Sequence, residues 1–134
     1  MSMSTSEILL DTSALIAFLQ GRGIGEEVQV VLAERRGVIS AVSVYELCAG
    51  VRSKTHLDQR LHLISLTRVV AMDQTIAHRA ADLFTTLRSG GVTIDNEDLI
   101  VAATAIERGV AVLTENTRHF AAIPELRLVI PGHI

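Results

Sequence analysis

The chain is poor in the residues that most often announce a function. Of its 134 residues one is cysteine, Cys48, so no internal disulfide can form, and a reducing compartment, the cytoplasm, is expected. There is no tryptophan, one tyrosine (Tyr45), and only 3% aromatic residues; the core must be built from aliphatic side chains. An excess of positive charge is missing too. The net charge is −3 and the pI about 5.9, which argues against broad, tight binding of nucleic acid, where phosphate contacts dominate. It leaves room for an enzyme with a few local arginines and with acids that a metal neutralises. No uninterrupted apolar run approaches the roughly 20 residues that span a bilayer. Met1 to Ser6 has neither the basic region nor the apolar core of a signal peptide, so a soluble protein without a membrane segment is expected.

What is present is aliphatic and periodic. With 49% apolar residues, the length suits one domain over 1–134 with a sizeable core. The sequence predicts strands at Ile8 to Leu10, Val38 to Ser40, Arg68 to Met72, Val110 to Leu113 and Leu126 to Ile130. Helices are predicted at Ala14 to Gln20, Glu26 to Arg36, Val44 to Val51, Leu57 to Ser65, Gln74 to Arg88 (capped by Asp73) and Asn96 to Arg108. Glycines mark several ends: Gly21 and Gly23, Gly37, Gly90 and Gly91, and Gly109. Alternating strands and helices, with strands that are continuously apolar, indicate a central parallel sheet covered on both faces, a three-layer α/β/α fold. Gly21-Arg22-Gly23-Ile24-Gly25 reads as a loop between helices; it lacks the flanking strand and the lysine of a phosphate-cradling P-loop.

Three acids stand where strand or loop gives way to helix: Asp11, Glu46 and Asp98. In a parallel α/β fold such junctions gather at one edge of the sheet. Carboxylates meeting there repel unless a hard cation such as Mg²⁺ neutralises them, which points to metal-assisted chemistry on a phosphate substrate. Each acid also has a structural account. Asp11 suits an N-cap, Ser43-Val44-Tyr45-Glu46 matches a capping box, and Asp98 lies in a first helical turn with Asp95 as the natural N-cap. Capping and ligation are compatible, because a helix N-terminus keeps a carboxylate ionised, as a metal ligand must be. Asn116, in the turn after Leu113-Thr114 at the same edge, offers a neutral oxygen ligand, a water-positioning group or an N-cap. The five histidines form no zinc pattern with one another or with Cys48, and Ser13 lacks the partners of a hydrolase nucleophile.

These segments resemble the PIN-domain family, specifically the VapC-type toxins of type II toxin–antitoxin systems. The resemblance is carried by Leu9-Leu10-Asp11-Thr12-Ser13-Ala14-Leu15-Ile16 and by Ile39-Ser40 through Val44-Tyr45-Glu46-Leu47. Its strongest part is Asp98-Leu99-Ile100-Val101-Ala102-Ala103-Thr104-Ala105, then Gly109, then Val112-Leu113-Thr114-Glu115-Asn116-Thr117-Arg118-His119-Phe120. It implies a PIN-like fold and a Mg²⁺-dependent endoribonuclease, with Mn²⁺ as the alternative ion. Asp11, Glu46 and Asp98 match the family's recurring acids: Asp11 and Asp98 to hold metal, Glu46 to join them or to orient or deprotonate the attacking water. A fourth position, commonly acidic, falls on Asn116, whose neutral amide weakens a second metal site. Thr12, Ser13 and Thr114 are candidates for bonds to phosphate or to the acids, and Arg52 and Arg118 for contacts with the RNA backbone. The resemblance further implies a homodimer and a VapB-type antitoxin, with the helices at 26–36 and 57–65 as docking faces.

Other classes fit less well. A haloacid-dehalogenase-like phosphatase needs an acid where Ser13 stands. A receiver domain needs an early acid cluster and a late lysine, and Lys54 is the only lysine. A non-catalytic PIN-like interaction module draws some support from Asn116 and the acidic pI. An RNA-processing nuclease without a toxin role would differ in lacking a small antitoxin gene immediately upstream.

Overall fold

Short strands and longer helices alternate along the chain. The computed structural model describes residues 6–130; what is expected above of 1–5 and of His133, one of the five histidines, lies outside the described residues. The elements are β1 (Ile8–Leu10), α1 (Thr12–Gln20), α2 (Gly25–Ala33), β2 (Gly37–Ser40), α3 (Ala41–Cys48), α4 (Lys54–Ser65), β3 (Arg68–Val70), α5 (Gln74–Ser89), α6 (Asn96–Arg108), β4 (Ala111–Leu113) and α7 (Thr117–Phe120). The strands form one sheet in the order β3-β2-β1-β4, with every pairing parallel.

Side chains alternate across a strand, and the register converts this into two cores. Leu9 pairs with Val38 and Val112. These three residues and Val70 pack with α5, α6 and α7 through Leu83, Leu99, Ala102 and Phe120. Ile8, Leu10, Ile39 and Leu113 face the opposite layer, with Leu15, Val28, Val31, Leu47 and Leu63 from α1 to α4. The sheet is therefore covered on both faces in a three-layer α/β/α arrangement. The helix at 96–108 ends as the sequence predicts: Gly109 adopts φ 65°, a left-handed conformation that glycine takes without Cβ strain, and the Val110 N–H then returns to Ala105 O at 3.0 Å.

Several boundaries differ from the sequence reading: α1 begins at Thr12 rather than Ala14, α3 ends at Cys48 rather than Val51 and α4 begins at Lys54 rather than Leu57. α2 stops at Ala33 rather than Arg36. Arg35 takes φ 56°, and Arg36, only 5% exposed, turns inward to donate to Glu34 Oε1 at 2.8 Å and Ser6 O at 3.1 Å. α3 begins three residues early, because Ser40, not Ser43, is its N-cap, accepting from the Val42 N–H at 3.2 Å. The capping box read at Ser43 to Glu46 is therefore absent. β3 stops at Val70. The strand expected at 126–130 reduces to one parallel bridge, Val112 to Leu128, held by Val112 N–H to Arg127 O and Val129 N–H to Val112 O, both 2.9 Å.

Candidate active site

β1 lies between β2 and β4, so the chain leaves it towards one side of the sheet and returns on the other. Such a switch point opens a crevice at the carboxyl ends of the strands. Asp11 is the first residue beyond β1, and its N–H continues the pairing to Leu113 O at 3.1 Å. Its side chain is 3% exposed and makes no cap bond to α1. Instead Asp11 Oδ2 accepts from Ser13 Oγ and from Thr114 Oγ1, each at 2.8 Å. The two hydroxyls lie 3.1 Å apart and are themselves fixed. The Glu115 N–H donates to Ser13 Oγ at 3.0 Å and the Asn116 N–H to Thr114 Oγ1 at 2.9 Å. Bonds to an ionised acceptor are among the stronger hydrogen bonds, so this buried carboxylate is held in one orientation.

Asp98 comes from the first turn of α6, where Asp95 occupies the N-cap position without a side-chain cap bond. Burial, and next the negative charge of Asp11, push the Asp98 carboxyl from the ordinary 3.8 up to about 6; Asp95 adds to the rise. His119 Nδ1 stands 3.5 Å from Asp98 Oδ2 and pulls the other way. Glu46 arrives from the second turn of α3. Its Oε1 accepts from Thr12 Oγ1 at 2.7 Å, and the Thr12 hydroxyl lies 2.9 Å from that of Ser43. Among the described residues no three His, Cys, Asp or Glu side chains form a ready-made metal cage. Asp98 feels the charge of Asp11, and Thr12, the residue that follows Asp11, holds Glu46.

Comparison with known proteins identifies the scaffold. The PIN-domain family model matches residues 8–126. This chain belongs to the PIN-domain family. It is 32% identical over 126 residues to Ribonuclease VapC1 of Methanocaldococcus jannaschii, across 93% of this chain and 87% of that protein. It is likewise 32% identical over 130 residues to Ribonuclease VapC10 of Mycobacterium tuberculosis, across 94% and 96%. A toxin–antitoxin complex from Klebsiella pneumoniae aligns with a TM-score of 0.72 at 30% identity, over 96% of this chain and all of the matched one. Such likeness places the chain among VapC-type members.

On this PIN scaffold the remaining candidates separate. Thr12, Ser13 and Thr114 are the hydroxyls that orient Glu46 and Asp11. Asn116 is exposed and stands at the N-cap position of α7 without a side-chain cap bond; its contribution to the network is its backbone N–H. Arg52 and Arg118 are exposed. Glu115 sits at the active edge, but its carboxylate faces the α1–α2 loop, where Arg22 Nη1 reaches it at 2.6 Å. His119 is the residue that sequence reasoning missed. Its contact with Asp98 depends on how α7 packs against α6, and no local pattern marks it. Among the described residues no helix is long and apolar enough to cross a membrane.

Proposed function

We propose that this PIN-domain protein is a divalent-metal-dependent endoribonuclease and the toxin of a VapBC-type toxin–antitoxin pair, working in the cytoplasm. The observation that carries the reading is the coupled pair at the switch point: a buried, rigidly oriented Asp11 whose charge raises Asp98. Two mutually repelling carboxylates with hard oxygen donors suit a hard divalent cation. Mg²⁺ is commonly held by one or two carboxylates, which Asp11 and Asp98 can supply, with water and substrate phosphate completing its shell. Mn²⁺ is the alternative.

When bound, such an ion stabilises charge on the scissile phosphate and lowers the pKa of water. Asp11 and Asp98 would hold it. Ser13 and Thr114 fix the Asp11 carboxylate before substrate arrives, and Thr12 aims Glu46. Glu46 then orients the attacking water or takes its proton. Oxygen from water bonds to phosphorus, the bond to the 3′ oxygen breaks, and the leaving oxygen takes up a proton, giving a 5′-phosphate and a 3′-hydroxyl. Arg118 and Arg52 contact the RNA backbone. The neutral Asn116 favours one tightly held ion over two.

The partners are RNA, a second copy of the chain in a homodimer, and a VapB-type antitoxin. Exposed Val30 on α2 and Leu61 on α4 supply apolar surface for docking, and an acidic site suits a cationic blocking group.

The test is cleavage of a panel of structured RNAs by antitoxin-free protein with Mg²⁺, Mn²⁺ or EDTA, beside Asp98→Asn. Metal-dependent cuts that disappear in the folded Asp98→Asn protein are expected. Full activity in that variant would sink the metal assignment, and absence of both cleavage and metal binding in the wild type would favour an interaction module.

A further inference from the structure

We infer that Arg22, Gly23 and Glu115 form a clasp between the α1–α2 loop and the β4–α7 turn, and that this clasp sets the orientation of the Asp11 carboxylate. Its catalytic consequence rests on the nuclease reading above; its geometry does not.

Glu115 follows Thr114 directly and works in two directions. Outward, its Oε1 takes Arg22 Nη1 at 2.6 Å, and its Oε2 accepts the Ile24 N–H at 3.4 Å. Arg22 is braced in turn by Nε donating to Gln20 Oε1 at 2.6 Å. Gly23, at φ 53°, closes over the carboxylate. A Cβ there would overlap Glu115 Oε2 outright and lie 3.1 Å from its Cδ. The backbone conformation favours glycine, and a Cβ at this position would displace the Glu115 carboxylate from its place. Inward, the Glu115 N–H fixes Ser13 Oγ, and the next N–H fixes Thr114 Oγ1. Those two hydroxyls are the ones that donate to Asp11 Oδ2.

Glu115 and the next residue thus tie a surface loop to both groups that aim Asp11. Glu115 is not a further ligand, because both carboxylate oxygens are engaged away from the acids. Nor is the contact only a surface ion pair of small worth, because the Ile24 N–H joins it and Gly23 leaves the carboxylate room to sit there. If the clasp opens, the N–H groups of Glu115 and Asn116 shift and both hydroxyls lose their anchors. A displacement of about 1 Å in a catalytic group is enough to cost on the order of 100-fold in rate. Glu115 is on this account a positioning residue, and Arg22 and Gly23 hold it.

The experiment compares wild type, Gly23→Ala, Arg22→Ala and Arg22→Lys by two readouts: hydrogen exchange of the Glu115 and Asn116 amides in metal-free protein, and kcat and KM for the cleaved RNA. Gly23→Ala and Arg22→Ala are expected to speed exchange at these two amides by roughly tenfold. They should lower kcat by about 10- to 100-fold with KM little changed. Arg22→Lys should return both readouts most of the way to wild type. Unchanged exchange in Gly23→Ala and Arg22→Ala, or faster exchange with wild-type kcat, would overturn the inference. Asp98→Asn serves as the separating control: it should lose cleavage with no faster exchange at these amides. A wild-type protein that fails to cut any RNA would count against the nuclease reading alone, and the exchange data would still decide the clasp.

Discussion

Replacing Asp98 by Asn removes an acid on which the proposed chemistry depends, and it should also make the metal-free protein more stable. The Asp98 carboxyl titrates near 6 in the folded protein against an ordinary 3.8. Between these values the folded chain keeps a proton that the unfolded chain has released. Wild-type stability therefore falls as pH rises from about 4 to about 6 and stays lower above that window. At about 1.4 kcal/mol per pH unit, the full difference is about 3 kcal/mol at pH 7. Solvent reaching the 18% of the side chain that is exposed reduces this to about 2 kcal/mol. Asparagine has nearly the same shape and no charge to desolvate beside Asp11. In EDTA at pH 7, urea denaturation followed by circular dichroism should find Asp98→Asn about 2 kcal/mol more stable than wild type. The advantage should fade as pH falls below about 4 and be gone by about pH 3, where wild-type Asp98 is protonated in both states. Adding Mg²⁺ or Mn²⁺ should then raise the wild type more than the variant, because an ion that binds only the folded state stabilises it. A variant less stable than wild type at pH 7 without metal, or a gap that ignores pH, would refute the argument that Asp11 and Asp98 are uncompensated neighbours.

Two further predictions concern the hydroxyls. Thr114→Val should cost about 1.5–3 kcal/mol in urea denaturation, since it removes a bond to a charged acceptor and leaves Asp11 less satisfied; a loss below about 0.5 kcal/mol would contradict the buried network. Thr12→Val frees Glu46 from its only side-chain anchor among the described residues and should lower kcat roughly tenfold, as expected when a general base loses its aim, with the melting temperature nearly unchanged; an unaltered kcat would remove Thr12 from the mechanism.

The legible parts of this protein are those fixed locally. The bounds of α6 could be read because an alanine-rich stretch ends at a glycine that closes the helix. β1 could be read because three aliphatic residues stop at an acid. α3 was misplaced because Ser40 and Ser43 are both credible caps, and only the tertiary structure sends Ser43 inward to Thr12. The end of α2 was hidden because Arg36 looks like a surface residue, yet it is buried against Ser6 and Glu34. The site divides the same way. Asp11 could be named as a candidate from its place at the end of β1 and Asp98 from the first turn of α6, but the contacts of the acids could not. Glu46 stays with Thr12 through a contact 34 residues apart in sequence. His119 meets Asp98 through helix packing, and Glu115 turns to an arginine 93 residues away.

The place of β1 in the sheet also bears on how the protein is made. The strand beside Asp11, β4, and the Thr114 hydroxyl that aims it are synthesised about 100 residues after it. Contacts of such separation form late, since the intervening chain must be ordered before they repay its entropy. A nascent chain exposed only through α6 carries Asp11, Glu46 and Asp98 but lacks the neighbour that shapes the crevice. On the nuclease reading, a growing chain on the ribosome is harmless to the RNA around it until β4 has emerged.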